Sequence, residues 1–239
     1  KLAARDQAAA AVGSGGFAAA EVVIRVNGLD TEWGRDDLAA ASIAQPSAIL
    51  LPKVESPDAL REAMALLAGA DRIELWAMIE TPRAMLRLDA IAASGAPLRC
   101  LIAGTNDLVK ESGIEVGVER RALQPGLFQL VMAARAYGLA VLDGVYNDID
   151  DLDGFSLQCR QAREFGFDGK TLIHPKQIEP CHAAFMPDAA SIEAARRVVA
   201  AFADPANAGR GALRVDGRMV ERLHLVQAQR TLALAGRAD

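Results

Sequence analysis

Two carboxylates, Glu80 and Asp107, each stand just after an apolar run of the chain, and their positions 80 and 107 differ by about the length of one βα unit. Charged side chains that follow neighbouring parallel strands meet at one face of the sheet, so the two should lie close together. Such a pair suits Mg²⁺, which takes one or two carboxylates and leaves room for waters and for substrate carboxylate and carbonyl oxygens. Two alternatives stay open. Glu80 could cap the helix that starts at Thr81, and Asp107 could stabilise the turn that begins at Gly104.

Arg25 is the first candidate for binding an anionic substrate. It lies between the apolar residues Ile24 and Val26, so its side chain is predicted to point away from theirs, with a barrel interior as one possible destination. A buried guanidinium needs an anion, and a substrate carboxylate, a thioester oxygen or a developing enolate would supply one. A structural ion pair with Glu55 or Glu80 is the alternative.

Three further side chains near strand ends complete the candidate site. Lys53 and Glu55 end the second predicted strand and are predicted to form an ion pair beside the bound substrate. His174, which precedes Pro175 at the end of the last predicted strand, could bind a nucleotide or a phosphate. For His174 we favour the alternative of a structural hydrogen bond.

Short apolar runs alternate with alanine- and leucine-rich segments of helical spacing, which predicts βαβ units around a parallel sheet. Most of the runs are continuously apolar, as expected for strands buried on both faces. The six predicted strands lie near Val22–Asn27, Ala48–Val54, Glu74–Glu80, Leu98–Gly104, Leu139–Tyr146 and Gly169–Pro175. The helices are predicted to include Lys1–Val12, Pro57–Ala68 and Gly126–Tyr137.

Six strands do not complete an eight-stranded barrel, and the chain opens in a helical segment. We predict an α/β fold, a TIM barrel over residues 1–181 that lacks its first two strands in this chain, with a C-terminal helical extension over residues 182–239. The extension is predicted as two helices around a loop at Asp204–Gly217. A complete, flavodoxin-like open sheet is the alternative.

Composition narrows the class of protein. The 239 residues carry a formal net charge of −5, which gives no electrostatic reason to expect nucleic acid or a membrane surface as a partner. No apolar run approaches the roughly 18 residues of a membrane-spanning helix. Cys100, Cys159 and Cys181 are widely spaced and are predicted to be buried thiols rather than disulfides or zinc ligands. We expect a soluble cytoplasmic protein that acts on small molecules.

Five short motifs at barrel spacing resemble those of a known family. They are, in order, Ile24–Asn27, Leu51–Glu55, Ile79–Pro82, Gly104–Leu108 and Gly166–Ile178. Together they resemble the citrate lyase beta subunit family of the HpcH/HpaI aldolase superfamily, which also includes malyl-CoA and methylmalyl-CoA lyases. The resemblance spans nearly all of the chain and implies a TIM barrel.

The resemblance implies a Mg²⁺-dependent carbon–carbon lyase that cleaves a 3-hydroxyacyl-CoA thioester of the citryl, malyl or citramalyl type to an acyl-CoA and a 2-oxo acid. In this family's pattern Glu80 and Asp107 match the metal carboxylates. Arg25 matches the arginine that binds the substrate and stabilises the thioester enolate, and His174 would lie near the CoA. A homotrimer or hexamer is also implied.

Two departures from the family pattern stand out. Family members usually begin with two further strands that carry active-site carboxylates, in a motif like Asp-Leu-Glu-Asp-Ala-Val, so we expect a segment before Lys1. In the motif Val215–Glu221, Glu221 stands where many relatives have an aspartate proposed as a base that reaches a neighbouring subunit's site. Glu221 is one methylene longer, so it could serve as the base or shift the balance between lyase and thioesterase outcomes.

Other functions stay open at this point. The protein could be a 2-oxo acid aldolase that needs no CoA, and a test of CoA dependence would separate this function from that of an acyl-CoA lyase. It could instead be a citrate lyase beta subunit that depends on an acyl carrier protein, which would bind metal without turnover of free CoA thioesters. A purely structural barrel is the last alternative, and the presence of Glu80, Asp107 and Arg25 together argues against it.

Overall fold

The computed structural model describes residues 1–67 and 72–236. The chain divides into two compact units, Lys1–Cys181 and His182–Asp239. The helix predicted over Pro57–Ala68 is present but ends at Leu66, and Ala68 itself lies outside the described residues. None of the described helices is both long and apolar enough to span a membrane.

Strands of the first unit form one parallel sheet. They are β1 (Val23–Arg25), β2 (Ala48–Leu51), β3 (Glu74–Ile79), β4 (Leu98–Ala103), β5 (Ala140–Asp143) and β6 (Gly169–Lys170). Within the described residues their spatial order is their chain order, β1 to β6, and every pairing is parallel. This order confirms the predicted α/β half-barrel and differs from the flavodoxin-like alternative, in which the strand order reverses at a switch point.

Helices connect consecutive strands, as right-handed crossovers between parallel strands require. The helices that begin in the first unit are α1 (Leu2–Gly13), α2 (Gly34–Ala44), α3 (Pro57–Leu66), α4 (Pro82–Met85), α5 (Leu88–Ala92), α6 (Thr105–Ser112), α7 (Gln124–Ala136), α8 (Leu152–Phe165) and α9 (Ile178–Phe185). A 3₁₀ turn, Pro175–Gln177, precedes α9. Proline stands in the first turn of α3 and α4, where its missing N–H costs nothing.

The expectation that most strands are buried on both faces is confirmed for β2 and, apart from one residue, for β4, and is wrong for β1, β3 and β5. Along β3, Leu75, Ala77 and Ile79 are fully buried, whereas Trp76 and Met78 on the opposite face are only half-buried. That second face has its own apolar cluster around Leu50, Cys100 and Ile102. This face is only partly covered at β3, and the six strands of the described residues do not close into a ring.

All six strands of the described sheet end earlier than predicted. The largest difference is β6, which pairs with β5 only through Gly169 and Lys170, although a strand was predicted as far as Pro175. Three of the segments that leave the sheet (residues 52–56, 80 and 171–174) carry candidate site residues. The predicted thiols Cys100, Cys159 and Cys181 are free and buried.

The second unit contains a hairpin in addition to its helices. Helices α10 (Ala189–Ala203) and α11 (Arg222–Ala235) flank the antiparallel strands β7 (Ala212–Val215) and β8 (Arg218–Glu221). The prediction of a loop over Asp204–Gly217 is therefore wrong for β7. Asp216 and Gly217 form the turn with φ angles of 50° and 78°, and a two-residue Asp-Gly turn with positive φ angles matches the twist of a hairpin.

Candidate active site

Glu80 immediately follows β3 and is 4% exposed. Its Oε1 accepts a hydrogen bond of 2.8 Å from the main-chain N–H of Lys53. The N-terminus of α4 is capped by the hydroxyl of Thr81, which accepts from the N–H of Ala84 at 3.1 Å. The helix-cap alternative for Glu80 is therefore wrong, and its carboxylate is held inside the site.

Gly104, the residue between β4 and α6, makes room for that carboxylate. A Cβ at position 104 would lie 2.3 Å from Cβ of Glu80 and 2.7 Å from its Oε2. Real side-chain carbons do not approach so closely. The missing side chain of Gly104 is therefore what allows the end of β4 to lie against Glu80.

Asp107 lies in the first turn of α6 with its side chain 42% exposed. Its charge acts on Glu80: burial is the main cause that raises the pKa of Glu80, the Lys53 N–H opposes this effect, and the negative charge of Asp107 raises the pKa further. Two carboxylates that repel each other in this way are stabilised by a shared cation. The structure thus brings the two predicted metal carboxylates into one electrostatic environment.

Lys53 contacts a different partner from the one predicted. Its Nζ lies 2.9 Å from Oε1 of Glu111 and 4.0 Å from Oδ1 of Asp107, and hydrogen bonding to Glu111 is the main cause that raises the pKa of Lys53. Glu55 instead pairs with Arg83 at 3.5 Å. The predicted Lys53–Glu55 ion pair is therefore wrong, because Lys53 has a φ angle of +48°, which takes its backbone out of the extended alternation assumed for the two residues.

Lys53 and Glu55 nevertheless line one cavity. It has a volume of about 360 Å³ and also borders Asp30, Thr81 and Glu111. The walls of this cavity are more acidic than basic, with Lys53 as its cationic side chain among the lining residues. Neither Glu80 nor Asp107 is among the residues that line this cavity.

Arg25 is the last residue of β1 and is exposed, so the predicted buried guanidinium is wrong in this structure. The physical reason is that β1 is an edge strand with β2 as its hydrogen-bonded neighbour in the described sheet. The charge of Arg25 is still one of those that lower the pKa of Glu80, against the dominant effect of burial. Arg25 therefore faces the same electrostatic environment as the carboxylates.

The two remaining predicted residues have local structural contacts. His174 is half-buried and its Nδ1 accepts from the N–H of Lys176 at 3.1 Å, so it caps the 3₁₀ turn, as the structural alternative held. Glu221 belongs to the second unit and precedes α11, where its own N–H donates to Nδ1 of His224 at 2.9 Å. Roles for these two residues in substrate binding and catalysis stay predictions.

A buried charge cluster at the ends of β5 and β6 is absent from the predictions. Asp143, with no exposed surface, accepts two hydrogen bonds of 2.8 and 2.9 Å from Nη1 of Arg120 and one of 2.7 Å from Nζ of Lys170. We call these three residues the Asp143 triad. Burial is the main cause that lowers the pKa of Lys170. The main-chain oxygen of Asp143 also accepts from the N–H and hydroxyl of Thr171, so the end of β5 holds the start of the segment after β6.

The donor atoms of the site fit a magnesium ion. Among the described residues, no group of three or more His, Cys, Asp and Glu side chains is arranged to hold a metal ion. Magnesium does not need such a cage, since it is commonly held by one or two carboxylates, water and substrate oxygens. Glu80 and Asp107 supply hard oxygen ligands of this kind, and the space that Gly104 leaves over Oε2 of Glu80 keeps that arrangement possible.

Comparison with known proteins decides the family. Residues 1–175 match the family model described as HpcH/HpaI aldolase/citrate lyase. The chain belongs to this family. Its similarity to individual members covers most of the chain, so the family assignment applies to the half-barrel as a whole.

Curated relatives carry two different names. The chain is 48% identical over 213 residues to a (3S)-malyl-CoA thioesterase of Cereibacter sphaeroides, covering 89% of this chain and 73% of the relative. It is 32% identical over 209 residues to the citrate lyase subunit beta of Escherichia coli, covering 84% of this chain and 69% of the relative. Both names belong to enzymes, and they differ in the bond that is broken.

Among solved structures, this chain is similar to the protein CitE of Mycobacterium tuberculosis in complex with magnesium, acetoacetate and coenzyme A. The matched region covers 99% of this chain and 84% of the CitE chain. The TM-score is 0.79 and the identity 30%. The likeness confirms the fold, which is that of citrate lyase-type, TIM-barrel-like proteins. It also places this family among proteins observed with magnesium.

Proposed function

We propose that the protein is a Mg²⁺-dependent carbon–carbon lyase that acts on a 3-hydroxyacyl-CoA thioester of the malyl type. The observation that carries the proposal is the buried carboxylate of Glu80, held by the Lys53 amide at 2.8 Å and accommodated by Gly104, beside the second carboxylate of Asp107. The similarity to a (3S)-malyl-CoA thioesterase supports the malyl type of substrate over the citryl type.

Glu80 and Asp107 would hold the ion, which when bound supplies positive charge to offset the negative charge of the 2-oxo acid half of the substrate. In the lyase reaction the bond between the hydroxyl-bearing carbon and the carbon next to the thioester breaks. The hydroxyl proton goes to a base, and the electron pair of the broken bond passes to the thioester as an enolate, which is then protonated to the acyl-CoA. For malyl-CoA the products are glyoxylate and acetyl-CoA.

Arg25 is proposed to bind the substrate and to stabilise the enolate oxygen. Its guanidinium is exposed at the end of β1, where it is free to turn toward an anionic ligand, and such charge-assisted hydrogen bonds strengthen as negative charge develops. The base is assigned to Glu221, acting in the site of a neighbouring subunit of a homotrimer or hexamer. Lys53, Glu55 and His174 are proposed to contact the substrate at its periphery.

Thioester hydrolysis is the second candidate, and the 48% identity to a thioesterase favours it. In that reaction water attacks the thioester carbonyl of malyl-CoA, the carbon–sulfur bond breaks, and malate and CoA are released. The same metal carboxylates would serve, because both reactions place negative charge on oxygens of the same substrate. The two candidates therefore differ in products rather than in binding residues.

The test is to incubate the purified protein with malyl-CoA, citramalyl-CoA and citryl-CoA, with Mg²⁺ or with EDTA, and to measure the 2-oxo acid, acyl-CoA, free acid and CoA. The proposal expects Mg²⁺-dependent formation of glyoxylate and acetyl-CoA from malyl-CoA, lost in Glu80→Gln. Malate and CoA in place of these products would establish the thioesterase. Metal binding without turnover of any free CoA thioester would overturn both and indicate a subunit that depends on a carrier protein.

A further inference from the structure

Lys53 touches the candidate metal site through two separate groups. Its main-chain N–H donates to Oε1 of Glu80 at 2.8 Å, from a left-handed backbone at φ +48°, a conformation that costs a non-glycine residue of order 1 kcal/mol. Its side-chain ammonium is independent of that bond, since it extends toward α6. A substitution of the side chain therefore removes the ammonium while the amide stays in place.

The ammonium lies between two carboxylates of one helix face. Nζ of Lys53 is 2.9 Å from Oε1 of Glu111 and 4.0 Å from Oδ1 of Asp107. Asp107 and Glu111 are four residues apart in α6, so their side chains project from neighbouring turns of the same face. Glu111 makes the closer contact, which draws the ammonium away from the oxygen of Asp107.

We propose that Lys53 is a positioning residue that sets the affinity of the metal site: its ammonium competes with a divalent cation for Asp107, and Glu111 holds it aside. The inference rests on the proposed function, in which Glu80 and Asp107 hold Mg²⁺. A cation bound at Asp107 is repelled by an ammonium a few ångströms away and attracted by the carboxylate of Glu111. The Lys53–Glu111 pair thus tunes binding without contacting the ion.

The expected effects are several-fold rather than many orders of magnitude. The side chains of Lys53, Asp107 and Glu111 are 53%, 42% and 34% exposed, so water and salt screen their interactions. We expect Lys53→Met to tighten divalent-cation binding roughly three- to tenfold and Glu111→Gln to weaken it by a similar factor. A residue that only supports the fold would give the opposite sign for Lys53→Met, a loss of affinity.

The experiment is a titration of the purified protein with Mn²⁺, with the free ion measured by electron paramagnetic resonance, followed by displacement with Mg²⁺. Lys53→Arg keeps the charge and should restore the affinity of the unsubstituted protein. Lys110→Met, at an exposed position of α6, is the matched control and should change affinity less than about twofold. Met and Arg meet the same backbone strain as Lys, and thermal unfolding in EDTA checks that each variant folds.

The outcomes separate this inference from the function on which it rests. If the unsubstituted protein binds Mn²⁺ and Glu80→Gln abolishes binding, but Lys53→Met leaves affinity unchanged or weakens it, the inference is overturned and the metal site stands. If the unsubstituted protein binds no Mn²⁺, or binds it equally well in Glu80→Gln, both are overturned. Tighter binding in Lys53→Met, reversed in Lys53→Arg, supports both.

Discussion

Gly104 lies between β4 and α6, and we expect its replacement by alanine to disturb Glu80 directly. The new Cβ would stand 2.3 Å from Cβ of Glu80 and 2.7 Å from its Oε2, whereas packed carbon atoms approach to about 3.5–4.0 Å. One of the two residues must therefore move by about 1 Å. Because Glu80 is held by the Lys53 amide, such a shift lengthens or breaks that bond.

The size of the effect follows from this overlap. Forcing an extra methyl group into a packed site costs about 1–3 kcal/mol, which for a unit of this size lowers the melting temperature by roughly 2–12 °C. Moving a carboxylate away from the group that orients it typically costs about 10- to 100-fold in metal affinity. Thermal unfolding in EDTA measures the first effect, and Mn²⁺ titration measures the second.

Gly117→Ala is the matched control, because a Cβ at position 117 meets nothing within 4 Å and its backbone lies outside the left-handed region. That variant should be neutral or slightly more stable, by at most about 1 kcal/mol, with unchanged metal affinity. If Gly104→Ala matched Gly117→Ala in both measurements, the reasoning that Gly104 shapes the position of Glu80 would be refuted.

Two further predictions concern buried charges. Asp143→Asn leaves the two cations of the Asp143 triad without their buried counter-ion, so the free energy of unfolding, measured by urea denaturation, should fall by about 3–5 kcal/mol. The control Asp150→Asn removes one partner of an exposed ion pair and should cost less than about 1 kcal/mol. Equal losses in the two variants would contradict this reasoning. Glu80→Gln should stabilise the protein in EDTA near neutral pH. Burial raises the pKa of Glu80 in the folded state above its value in the unfolded state. The ionised carboxylate therefore opposes folding at any pH above the folded-state pKa. The extra stability of Glu80→Gln should vanish as the pH falls below the unfolded-state pKa. If the difference in melting temperature between this variant and the unsubstituted protein were the same at neutral pH and below that pKa, the prediction would be wrong.

Much of the half-barrel could be predicted because its signals are local. Each buried strand is a short apolar run, and each run was located within a few residues of its position in the structure. The neighbourhood of Glu80 and Asp107 followed from topology alone, since the carboxyl ends of adjacent parallel strands meet at one face. The hairpin turn at Asp216 and Gly217 could also be predicted, from an Asp-Gly pair between apolar segments, although the sequence analysis places a loop over Asp204–Gly217.

Contacts that depend on loop conformation could not be read in this way. Lys53 contacts Glu111 across 58 positions of the chain, and its backbone is left-handed at φ +48°, a conformation that is uncommon for lysine and that the sequence does not indicate. Arg120 reaches Asp143 from a loop with a positive φ angle of its own. The exposure of Arg25 depends on its place at a sheet edge, which strand periodicity does not determine.

The left-handed backbone of Lys53 has a consequence for how this sequence can evolve. Glycine and asparagine occupy such a conformation more readily than lysine does, so a population under selection for folding alone would drift toward them at position 53. Both substitutes would still offer a main-chain N–H to Glu80, and neither would carry an ammonium toward Asp107. Position 53 is therefore subject to two selective pressures. Lysine at this position in a related sequence would indicate selection for the ammonium, and glycine or asparagine would indicate selection for an unstrained backbone.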